Sequence, residues 1–287
     1  MPELPEVETV RRAMAPVLEG GVVTAATILD ERLTRPFDPA AVAAELVGER
    51  VSAVDRRGKY LIVRFESGRV LLVHLRMTGS FRVAARESLP DDPHRRAVLS
   101  MDNRSDVAYR DVRRFGTWEL LEHGELEPYL SDRLGPEPLD HRLTATGLGE
   151  RLAGRRAPLK AALLDQRRLA GLGNIYVDEA LWHARLHPLR PAGSLDREEL
   201  IRLHRAIRRA LRTGIARQGA SLRDYARPDG SDGRMQDEFR AYGRAGEPCD
   251  RCRTPLERLV VGGRGTTYCP YCQPGPAPAE PARTLAE

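Results

Sequence analysis

The spacing of hydrophobic and polar positions changes period twice along the chain. Val7, Val10, Met14, Val17 and Leu18 fall on one side of a helical projection and predict an amphipathic helix over 8–18. From there the pattern shortens to β-rich runs at 22–29, 51–55, 60–66, 69–75, 97–101, 107–110 and 117–121. Ser67-Gly68 separates two of these runs as a tight hairpin turn, and 39–46 reads as a second helix. Many short strands with only two helices predict a β-sandwich rather than a parallel α/β sheet. Turn residues then accumulate from 124 to 139, and the helical period returns at 144–153, 159–165, 175–184 and 197–217. The last helix carries Leu200, Leu203, Ile207, Leu211 and Ile215 on one face, with Asp196 and Glu199 as its capping pair.

These changes divide the chain into blocks. A β-sandwich with flanking helices is expected over 1–134, a linker over 135–143 and a helical domain over 144–235. A cysteine-bearing hairpin follows over 236–273, and a Pro/Ala-rich, disordered tail over 274–287. The fold class is therefore α+β and multidomain. Within the helical block, the polar, Gly-containing segment 219–233 reads as a mobile loop.

Composition narrows the class. With 287 residues and 41% hydrophobic residues the chain can bury real cores, and no apolar run reaches the ~18–20 residues of a membrane span. An acidic N-terminus without an apolar segment argues against a signal peptide, so a cytoplasmic protein is expected. The net charge of +5 and pI of about 9.2 suggest an acidic partner such as nucleic acid. Of the 46 lysines and arginines only Lys59 and Lys160 are lysines, which makes each of the two informative.

Four cysteines form two Cys-x2-Cys pairs, Cys249 with Cys252 and Cys269 with Cys272, with sixteen residues between the pairs. That spacing fits one zinc ion held by four thiolates, a closed set that leaves no open position and so marks a structural metal. Between the pairs, Gly262-Gly263-Arg264-Gly265 reads as the tip of a β-hairpin, where glycines let Arg264 approach a phosphate backbone. Leu172-Gly173-Asn174 precedes a helix and offers backbone amides to phosphate, although an Asn cap alone explains it equally well. Lys59 stands at a strand start. Met77 and Phe115 each follow a strand beside charged groups, where the choice lies between core packing and a wedge in a base stack, with Arg113 filling the gap.

The opening residues Met1-Pro2-Glu3-Leu4-Pro5-Glu6 admit two readings. Pro2 and Pro5 suit the first turn of a helix. Removal of Met1 would alternatively expose a secondary amine beside a carboxylate. An α-amino group titrates near ~7.7–8.0, and a helix N-terminus lowers that further, which equips it for Schiff-base chemistry.

Taken in order, these motifs resemble the bacterial formamidopyrimidine-DNA glycosylase family over residues 1 to about 273. The carriers are the opening six residues, Gly58-Lys59-Tyr60, His74-Leu75-Arg76-Met77-Thr78-Gly79, Asp111-Val112-Arg113-Arg114-Phe115-Gly116, Leu164-Asp165-Gln166, Gly171-Leu172-Gly173-Asn174-Ile175-Tyr176 and the cysteine module. The resemblance implies a β-sandwich, a helix–two-turn–helix domain and a zinc finger, with damaged double-stranded DNA in the cleft between them. It implies removal of oxidised purines through a Schiff base on Pro2, followed by β,δ-elimination. Glu3 is then the proton donor and acceptor, Lys59 the acid near the phosphate, and Arg264 and Asn174 the grips on flanking phosphates. Met77, Arg113 and Phe115 are implied to fill the vacated stack, and Lys160 and His94 to contact DNA. Glu6 and Glu179 are implied to be supporting carboxylates, and 220–235 the loop over an everted 8-oxoguanine. No catalytic metal and a monomeric state are expected. Three places depart from the family pattern: Met235 in place of an aromatic residue, Arg253 in place of a frequent glycine, and His94-Arg95-Arg96. An endonuclease VIII-like enzyme for oxidised pyrimidines and a catalytically silent DNA-binding protein are the alternatives. Leu4 and the closing loop favour the purine branch, and Pro2, Glu3 and Lys59 argue against a silent protein.

Overall fold

Pro2, Glu3 and the first turn of helix α1 (Leu4–Leu18) are buried, and the helix begins four residues earlier than its hydrophobic spacing predicts. A capping box causes this: Glu6 Oε2 accepts from the Glu3 amide at 2.9 Å, and Pro5 sits where a missing N–H costs nothing. The structure is a computed structural model in which residues 2–222 and 225–275 are described. The chain packs as two units. The first runs to Asp140 and takes back 165–173 and 209–238; the second holds 141–164, 174–208 and 239 onward.

The first unit is a sandwich of two four-stranded antiparallel sheets. One has the order β1-β6-β7-β5, from β1 (Val23–Ile28), β5 (Ser80–Ala85), β6 (Arg95–Met101) and β7 (Ser105–Arg110). The other has the order β2-β3-β4-β8, from β2 (Val51–Arg57), β3 (Tyr60–Phe65), β4 (Val70–His74) and β8 (Thr117–Leu121). All five residues of β4 are buried, because this sheet is covered on both faces. Leu71 and Val73 enter the main core with Val7, Val10 and Met14 of α1, while Val70 and Leu72 pack with Leu126 and Leu130 of α3 (Leu126–Ser131). Helix α2 (Pro39–Leu46) packs near β1 with Asp38 as its cap.

Two elements escape the sequence pattern. β5 alternates poorly (its residues run from buried to exposed) and exists through its pairing with β7. α3 lies among turn residues and is held by its two buried leucines. The expected linker 135–143 contains no helix or strand, yet it is not loose. Gly135 N donates to Gln166 O, Ala170 N to Pro136 O, and Glu137 receives both Arg56 and Arg57.

The second unit contains α4 (Ala145–Leu152), α5 (Leu159–Leu164), α6 (Asn174–Ala184) and the hairpin of β9 (Glu257–Val261) with β10 (Arg264–Tyr268). Helix α7 (Arg197–Ala216) starts with the reciprocal Asp196–Glu199 cap expected from its sequence. Beneath the hairpin Trp182, Ala241, Leu256, Cys249 and Cys269 form a small core. Among the described residues no helix is long and apolar enough to cross a membrane. Of the expected disordered tail, 276–287 lie outside the described residues, as does Met1.

Candidate active site

In the first unit a four-residue segment, 170–173, seats the N-terminal residues. Leu4 N donates to Gly171 O at 3.0 Å. A Cβ on Gly171, whose φ is +90°, would come 2.6 Å from Leu4 Cδ1, and one on Gly173 would come 2.2 Å from Glu3 Cδ. Both glycines are therefore explained by close approach of the N-terminus. Gln166 fixes this seat at both ends of its amide, with Nε2 donating to Leu172 O and Oε1 accepting from Gly171 N. Nothing local in the sequence marks Gln166 for this role, which depends on the fold of 166–172.

Lys59 occupies the two-residue turn between β2 and β3 and is 6% exposed. Gly58, with φ +59°, packs beside Ala170 and Leu134, and its amide donates to Glu137 Oε1 at 2.5 Å. The same segment thus carries the turn of Lys59 and the residues that follow Pro2. Nearby in the fold, burial together with the charges of Arg76 and Lys59 pushes His74 down to about 3. His74 is neutral at physiological pH, and its Nδ1 accepts from Arg76 N at 3.0 Å.

Glu6 is 2% exposed and accepts two amides with one carboxylate: Glu3 N on Oε2 and Ala220 N on Oε1, each at 2.9 Å. The described parts of the loop expected to be mobile are anchored. Met235 N donates to Gly219 O, Val83 N to Pro228 O, and Tyr225 is buried with its hydroxyl 3.4 Å from Glu6 O. Burial first, then the Glu6 charge, raises the Tyr225 phenol well above its usual range. Met235, the departure from an aromatic, is 2% exposed and fills the base of this loop.

The wedge residues lie at the ends of β4 and β7. Phe115 is 50% exposed, and the Arg113 guanidinium stands 4.7 Å from its ring centroid. Met77 and Phe115 border an open groove of about 620 Å³ rimmed by Arg32, Arg35, Arg76 and Arg114. His94 is half-buried, with its amide donating to Asp92 Oδ1 at 2.8 Å and its carbonyl accepting from Asp111 N.

In the second unit the Arg264 hairpin hangs from α5 and α6. Arg264 itself is exposed. Gly265 O accepts from Asn174 Nδ2 at 3.0 Å and from Lys160 Nζ at 3.1 Å. Lys160, expected near the base site as a DNA contact, is fully buried and pairs with Asp178 at 2.6 Å. An ammonium so enclosed ties the hairpin to α5 and α6. Asp178 Oδ2 also accepts Thr267 N at 3.1 Å, and burial pushes this carboxyl up to about 6 against the opposing pull of Lys160. Asp178 and Glu179 are adjacent carboxylates in an otherwise apolar helix, a signal that sequence reading took up only for Glu179. Glu179 accepts the amides of Arg240, Ala241 and Tyr242, and so anchors the bend that leads into the cysteine module.

The four cysteine Sγ atoms lie within 4.8 Å of one another, close to the spacing of about 3.8 Å that four Zn–S bonds of ~2.3 Å impose. The Cys272 amide donates to Cys269 Sγ at 3.3 Å, as it does toward a thiolate. These residues fit one structural zinc. Arg253, in place of a glycine, adopts φ +67° in the first knuckle.

Residues 1–118 match a family model described as the formamidopyrimidine-DNA glycosylase N-terminal domain. Residues 134–226 match the formamidopyrimidine-DNA glycosylase H2TH domain, and 246–275 match the zinc finger found in FPG and IleRS. A formamidopyrimidine-DNA glycosylase of Chloroflexus aurantiacus is 45% identical over 95% of this chain and 98% of its own length. The solved complex of a Lactococcus lactis FPG variant with Fapy-dG containing DNA has a TM-score of 0.89 and 37% identity, covering 96% of this chain and all of that one. A structure of MutM with carbocyclic 8-oxo-G containing DNA gives a TM-score of 0.88 and 37% identity over the same shares.

Proposed function

The chain belongs to the formamidopyrimidine-DNA glycosylase family, and from that premise we propose how its residues carry the chemistry. The protein is a DNA glycosylase for oxidised purines such as 8-oxoguanine and formamidopyrimidines in duplex DNA, with the lyase activity of the family. Of the two branches weighed from the sequence, this is the purine one.

Once Met1 is removed, the Pro2 nitrogen attacks C1′ of the everted nucleotide. The C1′–base bond breaks and the base leaves with a proton; the C1′–O4′ bond then opens as O4′ takes up a proton, and the iminium so formed links enzyme and sugar. Glu3 supplies and receives protons around the sugar ring. Loss of a C2′ proton then expels the 3′ phosphate, and a second elimination expels the 5′ phosphate, with Lys59 as the acid beside the phosphate. Met77, Arg113 and Phe115 fill the stack that the nucleotide leaves, offsetting the few kcal/mol that extrusion costs. Arg264 and the amides at the start of α6 hold flanking phosphates, Asn174 and Lys160 keep that hairpin in place, and His94 adds a DNA contact. The four cysteines hold zinc, which supports the hairpin. The protein works in the cytoplasm, at the nucleoid, as a monomer.

The observation that carries this reading is the packing of Glu3 against Gly173, which buries a carboxylate beside the first residue of the mature chain. Pro2→Gly tests it: base excision and strand cleavage should fall together while DNA binding is kept. Loss of cleavage alone, with excision intact, would assign the attack on C1′ to another group.

A further inference from the structure

We propose that Asp111 is a positioning residue for duplex opening, clamping the turns of Met77 and of Arg113 with Phe115 into one preformed wedge. This rests on the glycosylase reading above. Both turns cross between the two sheets, from β4 to β5 and from β7 to β8, and their ends are paired, His74 with Thr117 and Ser80 with Arg110. Between those pairs the shape of each turn, and so the placing of Met77, Arg113 and Phe115, depends on what ties the two loops together.

Asp111, 1% exposed, makes the tie. Oδ1 accepts the hydroxyl of Thr78, the neighbour of Met77, and the amide of Arg113 at 3.2 Å. Oδ2 accepts the amide of Gly116, the neighbour of Phe115, at 2.7 Å. Thr78 Oγ1 in turn accepts the Arg113 amide at 2.9 Å. A carboxylate removed from water and met by this many donors makes hydrogen bonds well above the neutral kind in strength.

Behind it stands Tyr109, fully buried, with its hydroxyl between the glycines that end the two turns. A Cβ on Gly79 would come 2.3 Å from that oxygen and one on Gly116 would come 1.8 Å from it. Among the described residues the hydroxyl has no hydrogen-bond partner, so it serves as a spacer. Both turns are thus pressed onto one ring and pinned by one carboxylate. A wedge fixed in this way spends its binding energy on displacing a base rather than on ordering itself.

Asp111→Asn tests the clamp, because its amide presents N–H to donors on one side while nearly keeping the shape. Two substrates are compared in single-turnover experiments: 8-oxoguanine opposite cytosine in a duplex, and an abasic site in a single strand, which needs no extrusion. Duplex excision should fall roughly 10- to 100-fold, while borohydride trapping at the single-stranded site stays within about twofold of wild type. Equal loss on both substrates, or none on either, overturns the proposal. Thr78→Val, which removes one arm of the clamp, should move the same ratio in the same direction and stands in if Asp111→Asn does not fold. Wild-type protein that leaves 8-oxoguanine untouched would instead overturn the glycosylase reading.

Discussion

Glu6 holds Ala220 across 214 positions of sequence: its Oε1 accepts the Ala220 amide while its Oε2 accepts that of Glu3, both at 2.9 Å. One carboxylate therefore fixes the residue after Pro2 and the start of the 220–235 loop. A carboxamide can accept only one of these amides and turns an N–H toward the other. Glu6→Gln should cost about 1–3 kcal/mol, the penalty of a buried unsatisfied donor. Denaturant unfolding reads that loss, and excision rates should fall while affinity for undamaged duplex is kept.

Gly173→Ala attacks the seat from the other side. Its Cβ would come 2.2 Å from Glu3 Cδ, so the Glu3 carboxylate must move. Displacements of about 1 Å in a reacting group cost on the order of 100-fold, and single-turnover excision should fall by that order. Circular dichroism should show the fold retained.

The low value of His74 predicts acid sensitivity in the sandwich. In the folded protein it titrates at about 3, against about 6.5 when unfolded. The unfolded state therefore takes up the proton first, so the contribution of His74 is full above pH 6.5 and is lost as pH falls through about 3. Urea unfolding followed over that range should show stability declining with acid. His74→Asn, which keeps an acceptor near Arg76 N, should flatten the decline.

How much was legible beforehand follows from whether the signal was local. The sandwich, the long helix with its Asp196–Glu199 cap and the zinc hairpin were readable because period, cap and cysteine spacing are local properties. β5 and α3 were not, since each exists through partners far along the chain. Pro2, Glu3 and Lys59 were recognisable as residue types in a motif. That Gly171 and Gly173 are the seat for Leu4 and Glu3, rather than only a phosphate turn, needed the folded chain. The rarity of lysine marks Lys160 in the sequence, but its burial against Asp178 is a tertiary fact.

Arg253 offers a stabilising change. A left-handed conformation costs a side-chain-bearing residue roughly 1–2 kcal/mol, and its φ of +67° is of that kind. Arg253→Gly should raise the midpoint of thermal unfolding of the zinc-loaded protein and slow zinc loss to a chelator, read with a colorimetric metal indicator. Stripping the zinc from either protein should loosen the small core around Trp182 and lower DNA affinity, because Arg264 loses its support.

The central claim is that the mature N-terminal proline forms the bond to DNA. Protein shown by mass to lack Met1 should be mixed with an 8-oxoguanine·cytosine duplex, reduced with borohydride, digested and sequenced by mass spectrometry. The account predicts one adduct, on the peptide that begins at Pro2, with the sugar on its nitrogen. An adduct on Lys59, or tight binding with no adduct at all, would contradict it.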